Sequence, residues 1–174
     1  MPCNLTKGKD LTCRDTTGGV KNMYFTNYDA TLNTTVTRSA TGAITDYATI
    51  TFYKYVMPRG TSGFDQTINT SLENGTTFYE GTLTSILNGL TQEDLNELQL
   101  LVVGTPHVVI ETQSGTFYQV AIQNGLVAGG TAGTGIALGD RVGAALAFVS
   151  QEPALAPTVT DFLSIANVTI VSAV

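Results

Sequence analysis

The clearest hydrophobic pattern lies between residues 83 and 122, where its period changes from that of a strand to that of a helix and back. Leu95, Leu98 and then Leu101 or Val102 recur at helical spacing. This spacing predicts a helix of about three turns, at about 92–103, with one apolar stripe. The residues that follow are β-branched, and they predict the two arms of a hairpin around the turn 113–115. The helix is therefore expected to lie on the surface of neighbouring strands.

Local signals predict both ends of this helix. Thr91 is a candidate N-cap, because its hydroxyl can accept a hydrogen bond from a free amide of the first turn. Asp94 follows three residues later and can reach back to complete a capping box, and Leu90 is placed for a hydrophobic staple. Gly104 can adopt the left-handed conformation that ends many helices, and Pro106 prevents continuation.

Outside this stretch the pattern is that of β-strands. Strands are predicted at 20–26, 47–57, 64–72, 76–87, 107–111, 117–122 and 142–151, with a final strand or arm at 158–174. The glycine-rich segment 125–139 is predicted to be a loop. The sequence thus predicts a mainly β fold, a β-sandwich or barrel with one short α-helix. Its parts are an N-terminal arm at 1–19, a β domain at 20–153, and the C-terminal strand or arm of the same domain.

Strand 47–57 carries aromatic residues on both faces. Phe52 and Tyr53 are adjacent, so they point to opposite sides of their sheet. A strand of this kind is usually covered on both sides. Another copy of the chain is a candidate to cover the second face of this strand.

Composition and charge support a β-rich protein that does not bind nucleic acid tightly. Only 13% of the 174 residues are charged, and threonine and glycine are abundant. The net charge is −6, yet residues 1–21 hold four basic and two acidic residues, while the remainder holds four basic and twelve acidic. An acidic body argues against sequence-specific binding of nucleic acid, but not against a surface past which nucleic acid slides. The basic arm is either a docking element for a neighbouring copy or a solvated tail.

The residue patterns of common catalytic and cofactor sites are missing from the sequence. The glycine-rich segment lacks the Gly-Lys-Ser/Thr of a phosphate-binding loop, and the spacing after Gly133-Thr-Gly135 is not that of a dinucleotide fingerprint. His107 is the single histidine and is interpreted as a packed or hydrogen-bonded strand residue. Cys3 and Cys13 are too few for a zinc site and are expected to be free thiols, with a short disulfide loop as the alternative. We therefore expect no enzyme activity, no cofactor and no metal.

The hydropathy of the N-terminus and of the whole chain predicts where in the cell the protein is located. No apolar run is long enough to cross a bilayer, and the first residues are polar, without the apolar core of a signal peptide. These features predict a protein that is made and kept in a cytosol and has no membrane partner.

Residues 64–153 resemble the major tail tube proteins of tailed bacteriophages. The shared features are, in order, a strand, a short helix, a hairpin, a Gly/Thr-rich loop with Gly139-Asp140, a strand, and Glu152-Pro153. The segment 10–25 is also similar to the start of a phage structural protein. The segment after Pro157 is not part of the resemblance.

The resemblance implies a self-assembling structural protein of the virion. Tail tube proteins form hexameric rings of β-barrel-like subunits, which stack into a hollow tube that conducts DNA into the host. Each subunit gives strands to a continuous inner barrel, its helix lies outside, and a long hairpin or loop with the N-terminal arm reaches the next ring. The implied partners are further copies of the chain, other phage tail proteins, and DNA that passes non-specifically. The implied location is the phage tail, after assembly in the host cytoplasm.

Two sets of residues are candidates for this function. Contacts between subunits are expected from strand 47–57, from the tip that follows it and from the basic arm, at Phe52, Tyr53, Tyr55, Met57, Arg59, Lys7, Lys9 and Arg14. Acids that face the lumen are expected on strand segments, because like charge reduces the adhesion of phosphates. The candidates are Asp46, Asp65, Glu80 and Glu111.

Two other classes of protein are compatible with the sequence. One is a different phage structural protein, such as a tail terminator, a head–tail connector or a capsid decoration protein. The other is a cell-surface β adhesin or pilus-like module, in which Thr/Asn-rich strands are common but which needs a signal peptide.

Overall fold

The computed structural model describes residues 7–9, 17–89 and 91–172, and the fold is mainly β, as predicted. Two helices, α1 (Leu32–Thr35) and α2 (Gln92–Val103), and a 3₁₀ turn at Phe162–Ser164 accompany the strands. The strands are β1 (Val20–Thr26), β2 (Thr37–Arg38), β3 (Ile44–Asp46), β4 (Ile50–Val56), β5 (Gly63–Ser71), β6 (Thr76–Asn88), β7 (His107–Thr112), β8 (Phe117–Val120), β9 (Val127–Gly133), β10 (Gly143–Glu152), β11 (Thr158–Val159) and β12 (Val168–Ser172).

The strands form two sheets. The first sheet has eight strands in the order β12-β4-β1-β7-β8-β11-β3-β2, and the second has four in the order β5-β6-β10-β9. Pairing in the second sheet is antiparallel throughout, whereas β12 joins β4 and β11 joins β3 in parallel. Both of these parallel strands come from the C-terminal segment, which is therefore built into the first sheet.

One hydrophobic core lies between the two sheets. Met23 and Phe25 point to one face of β1, while Tyr24 between them points to the other, and Met23 and Phe25 meet Leu83 of β6 and Phe148 of β10. All four side chains are buried, and the rings of Phe25 and Phe148 lie 5.2 Å apart. This contact fixes which face of the second sheet points inward.

A second core covers the other face of the first sheet, and it is made by the same chain. Tyr24, Tyr47, Phe52 and Phe162 are each at most 2% exposed. The ring of Phe162, from the 3₁₀ turn, lies 5.0 Å from that of Tyr24 and 5.1 Å from that of Phe52. The first sheet is thus covered on both faces, and no second copy is needed to cover Phe52.

The start of α2 is as predicted. The amide of Asp94 donates to Thr91 Oγ1 at 3.2 Å, and the amide of Thr91 donates to the Asp94 carboxylate at 2.8 Å, which completes the capping box. The hydrogen bonds from the Thr91 amide and hydroxyl lower the pKa of Asp94. The staple predicted for Leu90 lies outside the described residues.

The predicted end of α2 is wrong at Gly104. Its φ is −81°, and its amide still donates to the Leu100 carbonyl at 2.9 Å, so it continues the helical turn. Thr105 takes the left-handed conformation instead, with φ of 44°. The need for glycine at 104 is one of space, because an added Cβ would lie 2.9 Å from the Leu100 carbonyl oxygen.

The prediction of a glycine-rich loop is wrong over its first half, because Val127–Gly133 forms β9 against β10. The small residues allow the two backbones to approach closely, and a Cβ added at Gly130 would overlap the Ala145 carbonyl oxygen. Two other boundaries differ. β4 begins at Ile50 rather than at 47, and the segment from 158 holds two short strands around the 3₁₀ turn rather than one strand.

Candidate functional site

The helix α2 contacts the second sheet at β9, and its Leu98 packs into the core between the two sheets rather than on the outward face of the second sheet. Leu83 and Phe148 point inward and pair in register, so the alternate residues of each strand point outward. We call this surface the open face. It is formed by Asp65, Thr67 and Asn69 of β5, by Glu80, Thr82, Thr84 and Ile86 of β6, by Ala145, Ala147 and Val149 of β10, and by Gly129 and Thr131 of β9.

The open face carries acidic side chains and no basic ones. Asp65 is exposed, and Glu80 is half-buried and accepts a hydrogen bond at 3.2 Å from Gln151 across the β6–β10 pair. No lysine or arginine occurs in β5, β6, β9 or β10. Two of the four predicted lumen acids therefore share one uncovered surface.

The other two predicted lumen acids, Asp46 and Glu111, belong to the first sheet. Asp46 ends β3 and accepts a hydrogen bond at 2.8 Å from the Tyr47 amide. Glu111 is only 5% exposed and lies inside the subunit, so it cannot line a lumen. The structure corrects the prediction for Glu111, because donors from β1 surround a carboxylate that the sequence pattern places on an ordinary strand.

Glu111 is the centre of a polar cluster at the start of β1. Its carboxylate accepts hydrogen bonds from Lys21 Nζ at 2.7 Å, from Asn22 Nδ2 at 2.6 Å and from the Tyr24 hydroxyl at 3.0 Å. Burial alone would raise the pKa of Glu111, but these donors and the Lys21 charge together hold it below its usual range. Burial and the neighbouring carboxylate raise the pKa of Tyr24. The cluster ties the root of the N-terminal arm to β7.

We expect Glu111→Gln to destabilise the fold by about 2 kcal/mol at neutral pH, because an amide cannot replace a carboxylate that accepts three hydrogen bonds. A carboxyl whose pKa is lowered by folding stabilises the fold fully above its unfolded pKa and loses this contribution as the pH falls through its folded pKa. The difference between wild type and variant should therefore shrink in acid. Urea unfolding at pH 7 and at about pH 3 measures both effects. Glu73→Gln, in the exposed β5–β6 turn, is the control, and a difference that does not change with pH would contradict the assignment.

Both outer strands of the second sheet are open edges. In the described structure β5 pairs only with β6, and β9 pairs only with β10. Each edge presents backbone amides and carbonyls without a partner strand, and such edges are where a sheet extends onto another chain. The β5–β6 hairpin also projects beyond β10, whose last pair is with Tyr79, and it exposes Ile68, Leu72 and Phe78.

The predicted contact residues of strand 47–57 divide between the interior and the surface. Phe52 and Met57 are buried, with 0% and 6% exposure, so the structure corrects the prediction that they contact a second copy. Tyr53 is 43% exposed and Tyr55 is half-buried. Arg59 is exposed in the loop between β4 and β5.

The basic arm is described only in part. Lys7 and Lys9 are exposed. Arg14, Cys3 and Cys13 lie outside the described residues.

A groove of about 620 Å³ lies between α2 and the margin of the first sheet. α2 stands at this margin, so its apolar stripe is only partly covered: Leu98 is buried, but Leu95 and Val102 are 37% and 41% exposed. The groove is lined mainly by apolar and aromatic side chains, together with one lysine and two acids. They are Tyr53, Tyr55 and Val56 of β4, Leu87 of β6, Leu98 of α2 and Val171 of β12, with Lys54, Asp94, Glu97, Asn88 and Ser172.

The loop between β9 and β10 presents two aliphatic side chains that sequence reasoning did not single out. Ile136 and Leu138 are fully exposed. The Asp140 carboxylate orders the loop, because it accepts hydrogen bonds from the amides of Ile136 and Ala137, each at 2.8 Å. The bonds from Ala137 and Ile136 lower the pKa of Asp140. Exposed apolar side chains on a loop held in this way are typical of contact surfaces, and the only signal for them was the Ile-Ala-Leu run within the glycine-rich segment.

His107 is a structural residue, as predicted. It is fully buried, the Asp29 amide donates to its Nε2 at 3.0 Å, and its Nδ1 hydrogen-bonds to the Ala121 carbonyl. Tyr28 stacks on the ring at 5.1 Å. Within the described ranges, no group of three His, Cys, Asp or Glu side chains converges as a metal site requires.

Comparisons of the chain with protein-family models, with curated proteins and with solved structures found no match. None of the helices in the described part of the chain has the length and apolar character needed to span a membrane. Function is therefore inferred from the residues and their geometry.

Proposed function

We propose that the chain is a structural subunit that assembles with copies of itself into hexameric rings, and that these rings stack into the hollow tail tube of a bacteriophage. In this proposal DNA passes through the tube into the host without binding to it. Other phage tail proteins bind the ends of the tube, and no enzyme activity or cofactor is involved.

The observation that supports this proposal most strongly is the open face with an open edge on each side. If β5 of one copy pairs with β9 of the next, repetition around a ring closes the second sheets into one barrel without edges. The inward face of the second sheet is already packed on the first sheet, so the open face would line the lumen.

The size of such a barrel suits DNA passage. Barrels of about 16–18 strands already enclose a water-filled channel. Six four-stranded sheets with ordinary strand spacing and tilt would form a barrel about 45–50 Å across its backbone. Side chains on the open face are mostly small, which leaves a channel wider than a DNA duplex.

The charge of the open face suits passage without adhesion. Asp65 and Glu80 would repeat in every subunit around the lumen, and no basic side chain of these strands would balance them. Phosphates are repelled by such a surface, because protein–DNA affinity depends on lysine and arginine that replace counterions.

The test is negative-stain electron microscopy of the purified protein over a concentration series, with mass photometry alongside. We expect six-fold rings and tubes. A reducing agent is the control, because it prevents Cys3 and Cys13 from cross-linking copies. A stable monomer or trimer at high concentration, without rings, would contradict the proposal and favour a capsid decoration or adhesion protein.

A further inference from the structure

We infer that the groove between α2 and the first sheet is the docking site for the N-terminal segment, residues 1–16, of a neighbouring copy in the same ring. The inference rests on the proposed function and deepens it, because it names a contact that closes the ring. It differs from the expectation that the arm reaches the next ring.

The groove has the apolar surface that a docked segment needs. Tyr53 and Val171 are each 43% exposed and Val56 is 68% exposed, and all three line the same depression. Exposed apolar residues gathered in one concave site usually mark an interaction surface. Lys7 and Lys9 of the same chain are exposed and do not line the groove, so its occupant is sought in another copy.

The charges of the groove and of the segment are complementary. α2 contributes Asp94 and Glu97 to the lining of the groove, and Lys54 is the one basic residue in that lining. The segment 1–16 holds three basic and two acidic residues. Opposite charge of this kind steers a segment to its site and fixes its register.

The residue pattern of the segment also fits. In an extended chain alternate side chains share one side, so Leu5, Lys7, Lys9 and Leu11 would all face the groove. Two leucines would then enter apolar surface on either side of two lysines that face the acids of α2.

The point at which the N-terminal arm leaves the subunit brings it closest to the groove of a neighbour in the same ring. Asn22 of β1 pairs with Val56, which lines the groove, so the arm leaves the subunit at the end where the groove lies. All subunits of a ring have the same orientation, which places the arm of one copy level with the groove of the next. Sixteen residues span at most about 55 Å, more than the width of about 40 Å expected for a compact chain of this length.

Cross-linking tests the inference, because the segment already carries two thiols, Cys3 and Cys13. With Val171→Cys, mild oxidation of assembled protein should join a thiol of the segment to position 171 of the neighbour and give dimers and larger species on a non-reducing gel. Leu155→Cys is the matched control, since Leu155 is 51% exposed but lies outside the groove. It should give no more cross-linked species than the wild type.

Rings and tubes are separated before analysis, so that the outcomes can be told apart. Cross-linked species in isolated single rings support the inference. Cross-links found only in tubes, only within one chain, or not at all in assembled protein overturn it and leave the proposed function intact. A protein that does not assemble overturns both.

Charge reversal provides a second readout. Glu97→Lys should raise the concentration at which half of the chains are assembled by about five-fold, the size expected of an exposed ion pair. Lys7→Glu combined with Lys9→Glu should have a similar effect, and all three changes together should restore assembly. Additive losses without restoration would overturn the contact between these residues.

Discussion

Replacing both Asp65 and Glu80 with lysine is expected to turn a tube that lets DNA pass into one that retains it. Each subunit would exchange two negative charges on the open face for two positive ones, so a six-membered ring would gain about 24 units of positive charge around its lumen. Lysines that contact phosphates release counterions, and the resulting affinity falls steeply with salt. Binding of a short duplex should therefore be strong at low salt and should weaken about a thousand-fold or more between 50 and 200 mM.

The measurement is fluorescence anisotropy of a labelled duplex with assembled tubes at several salt concentrations, with microscopy to show that tubes still form. Asp46→Lys is the matched control for the single variant Asp65→Lys. It makes the same change of charge on the first sheet, away from the open face. Equal binding by the two single variants, or no binding by the double variant in intact tubes, would show that the open face does not line the lumen.

The shared face of Asp65 and Glu80 can be derived from the sequence, whereas its exposure cannot. A two-residue turn at Asn74-Gly75 would pair Glu73 with Thr76, whereas the structure has a four-residue loop, 72–75, and places Asp65 opposite Thr82 and Glu80 opposite Thr67. The two registers differ by two residues, which leaves each side chain on the same face. The period of two then puts both acids on one side. Strands rich in threonine do not show which side is buried, because inward and outward positions differ little in polarity. The buried side is determined by the packing of Leu83 and Phe148 on the first sheet. This is a contact between residues that are distant in the chain.

Elsewhere in the fold, too, the features that depend on neighbouring residues are predicted and those that depend on distant residues are not. The start of α2 is predicted because Thr91 and Asp94 act within one turn. The buried state of Glu111 is not predicted, because its donors come from β1, almost ninety residues away. The pairing of β9 is missed for a related reason. A local pattern rich in glycine predicts a turn, whereas Gly130 is needed because the backbone of β10 approaches it closely.

The C-terminal segment gives the second large prediction: Phe162→Ala should destabilise the fold by about 3–5 kcal/mol. Phe162 is 0% exposed, and its ring lies within 5.4 Å of the rings of Tyr24, Phe52 and Phe117. Removal of the ring would leave a cavity bounded by other rings that cannot close it. A loss of this size is a large part of the total stability of an ordinary domain, about 5–15 kcal/mol.

Urea unfolding measures this effect, with Leu163→Ala as the control, because the next residue is 58% exposed and should matter little. Phe162→Leu keeps most of the volume and should give a smaller loss, which makes the prediction testable even if the alanine variant does not fold. A Phe162→Ala protein as stable as Leu163→Ala would show that the C-terminal segment is not part of the core.

The aromatic cluster supports β1, β4 and β7, and the other face of these strands carries the second sheet. Loss of Phe162 should therefore reduce assembly together with stability, whereas lysine at 65 and 80 should change DNA retention and affect the stability of the subunit much less, since the one side-chain hydrogen bond lost is that from Gln151 to Glu80.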